Sequence, residues 1–232
     1  LLPYPNRKAY ERILNYSSFA ASATITGCCV AKPDVVIGSS PQLLVALAAW
    51  AIARRHRVPF VFEVRDLWPE SLAAVGMGHS GSPLYRCLCR IARFLYKRAD
   101  HIVIVSPAFE DHLVEYWEVP RHNISVVPNG VETNIFRNAS RPAELLRDLN
   151  AEGRFIVSYI GTMGMAHGLE TILRAARELQ DSAPDIMFLL VGDGAEKDRI
   201  LSLIDSQGLR NIRFIGQQPR QTIPAYIAAS DA

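Results

Sequence analysis

Long apolar runs are missing from this chain of 232 residues. The longest, Leu43 to Ala53 within PQLLVALAAWAIARRHR, is about half of the roughly 20 residues that a bilayer crossing needs, so it reads as a buried helix. Cysteine is scarce: Cys28, Cys29, Cys87 and Cys89 match neither the paired CxxC of a structural zinc site nor a disulfide framework, which leads us to expect a reducing, cytoplasmic setting. His56, His101, His112 and His122 lack paired ligand spacing, so none is read as a metal ligand. The opening LLPYPNRKAYERILNY has no charged n-region, apolar h-region and cleavage site, and no signal peptide is expected in it. A strong charge of one sign is absent as well. Formal net charge is +2 with pI near 8.4, which argues against a dedicated nucleic-acid binder but leaves room for a locally basic face. There is no initiator Met and the chain closes at AYIAASDA, so a fragment cut at both ends is expected.

What is present alternates. With 49% hydrophobic residues, the chain can fill one large core or two smaller ones, and two domains are the expectation. DVVIG (34 to 38), PFVFEV (59 to 64), HIVIVS (101 to 106) and NISVVP (123 to 128) are strand candidates with helices between them. Continuous apolar strands separated by helices imply an α/β fold with a parallel sheet covered on both faces. VPNGVETNIFRNASRPAE then breaks the pattern with Pro128, Asn129-Gly130 and Pro142, and the boundary is set between domains 1–137 and 138–232. The same logic restarts beyond it. RFIVSYIG, DIMFLLVGDG and NIRFIGQ are strands, with helices expected at about 168–181, 194–207 and 221–229. The expectation is two Rossmann-like units in tandem.

In YIGTMGMAHGL (159 to 169), three glycines sit where a strand hands over to a helix whose apolar face is Leu169, Ile172, Leu173, Ala176 and Leu179. Unpaired N–H groups and the positive end of the helix dipole suit a phosphate there, while glycine lets a ligand approach the backbone. One exposed helix end contributes only about 0.3 to 1 kcal/mol. A tight turn would use the same glycines. The spacing GxxGxxxG is not the dinucleotide fingerprint, and no acidic residue ends DIMFLLVG, which disfavours an NAD site. Gly192-Asp193-Gly194 and the turn at Gly216 lie at the ends of the next two strands, and together the three turns form a floor for a nucleotide.

In the first half, PFVFEVRDLWPES places Glu63, Arg65, Asp66 and Glu70 at or just after a strand end, with a helix expected from about Pro69. Arg65 and Asp66 either form an ion pair or contact an acceptor hydroxyl. In SPLYRCLCRIARFLYKRAD, Arg86, Arg90, Arg93 and Lys97 stand opposite Leu84, Leu88, Ile91 and Leu95 on a basic amphipathic helix. This stripe is either a solvated face or an attraction for anionic lipid headgroups or a lipid-linked diphosphate, worth about 1 kcal/mol per basic residue.

VPFVFEVRDLWPESL, KRADHIVIVSPAF, ISVVPNGVETNIF, YIGTMGMAHGLETIL, FLLVGDGAEKDRI and IRFIGQQPRQTIPAYIAASDA, taken in order, resemble retaining glycosyltransferases of the GT-B fold, family 4, in the bacterial capsule and O-antigen branch. The resemblance implies two Rossmann-like domains with parallel sheets facing across a cleft, both incomplete, and a nucleoside diphosphate sugar bound mainly by the C-terminal one. It assigns Gly161, Thr162, Met163, Gly164, His167 and Gly168 to the donor diphosphate. Gly192, Asp193, Gly194, Ile215, Gly216 and Gln217 fall near the nucleoside, Asn129 and Gly130 near a hinge, and Arg65 and Asp66 at the catalytic acceptor side. The family commonly has an Arg after the loop's first Gly and a Lys before its last, where this sequence has Thr162 and His167, and often a His where Arg65 precedes Asp66. The implied activity is transfer of a hexose or N-acetylated amino sugar, with no cofactor or metal, to a polyprenyl diphosphate-linked or other glycan acceptor. The implied setting is the inner face of an anionic membrane, held peripherally by Arg86, Arg90, Arg93 and Lys97. A UDP-sugar 2-epimerase of the same fold, and a non-catalytic nucleotide-sugar binding subunit or inactive fragment, are the competing readings.

Overall fold

The protein, described here by a computed structural model over residues 9–71, 81–136 and 140–232, divides into two compact units at Gly130/Val131. The sequence-derived boundary at 137/138 lies outside the described residues. Residues 131–136 go with the second unit because Glu132 pairs with Arg220 at 3.0 Å and the Arg220 guanidinium lies over the Phe136 ring.

The first unit is a parallel sheet of β1 (Val36–Ser39), β2 (Phe60–Val64), β3 (His101–Ile104) and β4 (Ile124–Val126), in that spatial order. Its helices are α1 (Ala9–Cys29), α2 (Leu43–His56), α3 (Pro83–Arg98) and α4 (Ala108–Glu115). Phe60, Phe62 and Val64 share one face of β2 with Ile102 and Ile104 of β3, against Ala46, Ala49 and Ala53 of α2, Leu95 of α3 and Leu113 of α4. Each fully buried Phe contributes about 1.5–3 kcal/mol. Coverage is unequal between the faces, contrary to the expected two-sided burial. Val61 and Glu63 are half-buried and Ile37 is 61% exposed. The strand order never reverses, and right-handed crossovers that always step the same way set their helices on one face.

Sequence periodicity did not mark α1. Its Ser-, Ala- and Thr-rich stretch lacks a sharp apolar stripe, and the helix is held by α2, where a Cβ on Gly27 would meet the Ile52 side chain at 2.4 Å and His56 Nε2 lies 2.8 Å from the Gly27 carbonyl. The apolar run at Leu43 is the expected buried helix, α2. The helix expected from Pro69 is seen only at Glu70 and Ser71, and its continuation lies outside the described residues. Among the described residues no helix is long and apolar enough to cross a membrane.

The second unit has α5 (Ala143–Asp148), β5 (Phe155–Ile160), α6 (Glu170–Leu179), β6 (Ile186–Val191), α7 (Lys197–Ser206), β7 (Ile212–Gly216) and α8 (Ile223–Ala229), with the parallel order β5-β6-β7. Here both faces are buried. Met187, Leu189 and Val191 meet Leu146 of α5 and Tyr226 of α8, while Phe188 and Leu190 meet Leu173 and Ala176 of α6 and Ile200 of α7. That is why DIMFLLVG reads as an unbroken apolar run.

Beyond α8 the chain returns to β5: Asp231 N–H donates to the Ile156 carbonyl at 2.8 Å and Ser158 N–H to the Ala232 carbonyl at 2.8 Å. The Asp231 carboxylate also accepts from Ile156 N (2.8 Å) and from both terminal nitrogens of Arg141 (2.5 and 3.0 Å). The Arg141 bonds, and then the Ile156 N–H, hold this carboxyl below the usual carboxylate range. A depressed folded-state pKa means that the stabilisation is complete above the unfolded value of about 3.9 and is lost as pH falls through the lowered one. Asp231→Asn is therefore expected to lower the thermal midpoint at neutral pH. In melts recorded down a pH series, the gap from wild type should close in the acid range and not open there.

Candidate functional site

The parallel strands of each unit deliver their carboxyl ends to one edge, and both candidate sites lie at such edges. In the second unit, three turns meet. Gly161 N–H donates to the Val191 carbonyl (3.0 Å), Met163 N–H to the Asp193 carbonyl (2.9 Å), and Gly192 N–H to the Gly216 carbonyl (2.9 Å). A Cβ on Gly192 would lie 1.9 Å from the Gly161 oxygen, and one on Gly194 would lie 2.4 Å from the Met163 oxygen. These glycines are required by the backbone of the neighbouring turn. The sequence placed Gly192 and Gly194 in a floor for a nucleotide, and the structure adds that they clear the adjacent backbone.

A cavity of about 600 Å³ opens at this edge, lined by Gly161, Thr162, Gly192, Asp193, Gly194 and Gln217 among others. Six of the twelve residues assigned to the donor thus share one wall. Gly164 and Gly168 instead line a separate cavity of about 700 Å³ between α6 and α7, beside Arg174, Arg177 and Arg199. Met163 is fully buried in the core under α6, Ile215 packs on the opposite core face, and Gly216 contributes its carbonyl to the turn contact above. His167 closes the short 3-10 turn Met165–His167, its Nδ1 accepting from Gly164 N–H at 3.2 Å, and Gly168 follows with φ 58° before α6. Tyr159 braces the loop from below. Its hydroxyl donates to the Thr162 carbonyl at 2.6 Å, its ring meets His167 edge-on, and burial pushes its phenol pKa up.

Sequence reasoning passed over Lys197, which opens α7 with its Nζ 3.6 Å from Asp193 Oδ1 and over the Phe214 ring. The i,i+4 spacing from Asp193 was the available signal.

In the first unit, Arg65 and Asp66 do not pair with each other. The Arg65 guanidinium reaches Glu63 Oε1 at 3.5 Å and Asn129 Oδ1 at 2.9 Å, whereas Asp66 Oδ1 accepts from Ser71 Oγ at 2.6 Å. Glu63 Oε2 accepts in turn from the Ser39 hydroxyl. The buried Ser40 organises the turn: its Oγ accepts from Arg65 N (2.9 Å) and Asp66 N (3.2 Å) and lies 3.1 Å from the Asp66 carbonyl. Ser39 and Ser40 were not singled out from sequence, and only their position at the end of β1 could have marked them. Asn129 thus touches Arg65, and Gly130 closes the first unit.

Glu70 anchors the far end of this loop, with Oε1 3.0 Å from Trp117 Nε1 and 3.2 Å from His112 Nε2. Burial, and then the Glu70 carboxylate, push the Tyr96 phenol far above its ordinary value. The stripe on α3 is uneven. Leu84 is 61% exposed while Leu95 is buried, and Arg93 lies over the Trp117 ring and 3.9 Å from Glu118.

Two parallel α/β units with polar turns at their carboxyl edges form a GT-B type architecture, and solved structures of glycosyltransferases share it. HepE from Anabaena, crystallised with UDP, superposes with TM-score 0.70 at 19% identity over 92% of this chain and 55% of HepE. WaaG, involved in lipopolysaccharide biosynthesis, superposes with TM-score 0.58 at 14% identity over 99% of this chain and 71% of WaaG. The chain belongs to the glycosyltransferases: residues 6–130 match the glycosyl transferase 4-like domain and residues 143–232 the glycosyl transferases group 1. WcaI of Escherichia coli, named for colanic acid biosynthesis, is 26% identical over 95% of this chain and 55% of its own length. WbjE of Pseudomonas aeruginosa, named as a glycosyltransferase, is 25% identical over 93% of this chain and 53% of its own. The chain therefore spans about half the length of these relatives.

Because a Cβ at position 192 would strike a carbonyl oxygen, Gly192→Ala is expected to destabilise the second unit by more than about 2 kcal/mol. Gly164→Ala, at φ −112° with only the His167 ring nearby, Nδ1 at 3.3 Å and Cε1 at 3.5 Å, should cost far less. Urea melts of the two variants test the difference.

Proposed function

We propose that the chain forms the acceptor side and most of the donor side of a retaining glycosyltransferase of surface polysaccharide biosynthesis. The enzyme moves a hexose or N-acetylated amino sugar from a nucleoside diphosphate sugar to a glycan acceptor carried on a polyprenyl diphosphate. The carrying observation is the cavity at the ends of β5, β6 and β7, where Gly161, Thr162, Gly192, Asp193, Gly194 and Gln217 converge. HepE was crystallised with UDP-glucose, and the two bacterial relatives named above support the polysaccharide reading. Backbone dipoles of the 161–168 loop stabilise the departing diphosphate. Lys197 supplies the cation that the loop lacks at Thr162 and His167. Retention follows when the leaving diphosphate takes the proton of a hydroxyl attacking from the same face, so the enzyme's work is alignment and charge stabilisation, with no metal or cofactor. Asp66 orients the acceptor hydroxyl and Arg65 holds its neighbours. Asn129-Gly130 acts as the hinge, and Arg86, Arg90, Arg93 and Lys97 draw the first unit to the anionic inner face of the cytoplasmic membrane.

Calorimetric titration with UDP-, GDP- and dTDP-sugars tests donor binding. At least one is expected to bind, and His167→Ala, which removes the acceptor of Gly164 N–H, should weaken it; equal affinity in the variant would remove the loop from the donor site. For the complete enzyme, Asp66→Asn is expected to lower kcat by about tenfold or more with little change in donor KM. A variant with normal kcat and a lowered Tm would reduce Asp66 to a partner of Ser71.

A further inference from the structure

At the opposite end of the first sheet from Arg65 and Asp66 lies a third cavity, of about 680 Å³, between the C-terminal ends of α2 and α3 and the amino ends of β2 and β3. Arg54, Arg57, Lys97 and Arg98 line it, and among the described residues Asp100 is its one carboxylate. Asp100 is already engaged, its Oδ2 accepting from Phe60 N–H at 2.8 Å. Among the described residues none of the four cations has a carboxylate partner within 4.0 Å; Arg98 lies over the Phe94 ring.

Basic residues often close helices because they complement the negative end of the dipole, but that end carries only about half an elementary charge. Two helix ends and Asp100 leave roughly two of the four positive charges uncompensated. A cavity with spare cations and planar guanidinium forks matches a tetrahedral oxyanion with several acceptor oxygens. The pattern is written in the sequence as ARRHR (53 to 57) and KRAD (97 to 100), two short runs that folding brings to one mouth.

We propose that this cavity binds a phosphate group, distinct from any donor phosphate at the other edge, supplied either by free phosphate or by the headgroup of an anionic phospholipid. The inference does not depend on which sugar the enzyme moves. Arg57 has φ 56° and ψ 53°, which asparagine tolerates, so Arg54→Gln/Arg57→Asn removes two charges at little conformational cost. The probes are inorganic phosphate, titrated by calorimetry at constant ionic strength, and phosphatidylcholine vesicles with or without phosphatidic acid, read by co-sedimentation. Arg147→Gln/Arg213→Gln, exposed in the second unit and away from the cavities described above, serves as the charge-matched control. The expected result is a loss of about tenfold or more in affinity for one probe in the Arg54/Arg57 pair and none in the control. Loss toward inorganic phosphate identifies a free anion, and loss toward phosphatidic acid vesicles alone identifies a lipid headgroup. Affinities unchanged from wild type for both probes, or equal losses in the control pair, would overturn the proposal. Should circular dichroism show the first pair unfolded, Arg98→Gln, outside the Arg86–Lys97 stripe, gives the same reading from the other helix.

Discussion

The second unit depends on a backbone crossing. The turns leaving β5 and β6 pass so closely at Gly192 and Gly194 that no side chain fits between them, and three amide–carbonyl bonds lock the turns leaving β5, β6 and β7 together. Everything proposed for the donor follows from that contact. It sets Thr162 beside Asp193, opens the cavity toward Gln217, and aims the start of α7, with Lys197, at the same edge. The first unit uses a side chain for the equivalent task. Ser40 accepts two consecutive amides of the turn after β2, so one hydroxyl orients Arg65 and Asp66.

The strands were legible in the sequence because a parallel sheet between helices needs unbroken apolar runs, and DIMFLLVG is such a run with both faces buried. The same rule overreached in the first unit. PFVFEV looks continuous, yet only Phe60, Phe62 and Val64 are fully buried, since all the crossovers step to one side. Helix α1 was invisible for a different reason: its partner α2 supplies the packing, and small residues such as Gly27 carry no periodic signal although they permit the approach.

The site was legible as positions and not as contacts. Glycines at strand ends pointed to the edge where a cavity opens, but sequence cannot distinguish a glycine cleared for a ligand from one cleared for the next turn. At Arg65 and Asp66 the sequence left an ion pair and an acceptor contact open; the ion pair does not form, because successive side chains leaving a strand point apart, and each took a partner from elsewhere, Glu63 and Asn129 for one and Ser71 for the other. Ser40 and Lys197 lay outside the motifs and became visible only through the atoms they touch.

The return of the chain to β5 after α8 has a topological meaning. From β5 the sheet grows in one direction through β6 to β7, whereas Asp231 and Ala232 pair along the other side of β5. Helices α6 and α7 accordingly lie on one face and α8 on the other. The winding sense reverses at β5, and such a reversal separates the two flanking helices and leaves a crevice at the strand's carboxyl end. Ile160 leads directly into that gap, so the first glycine of the loop, Gly161, stands where the chain's own path, before any side chain is considered, has left room for a ligand.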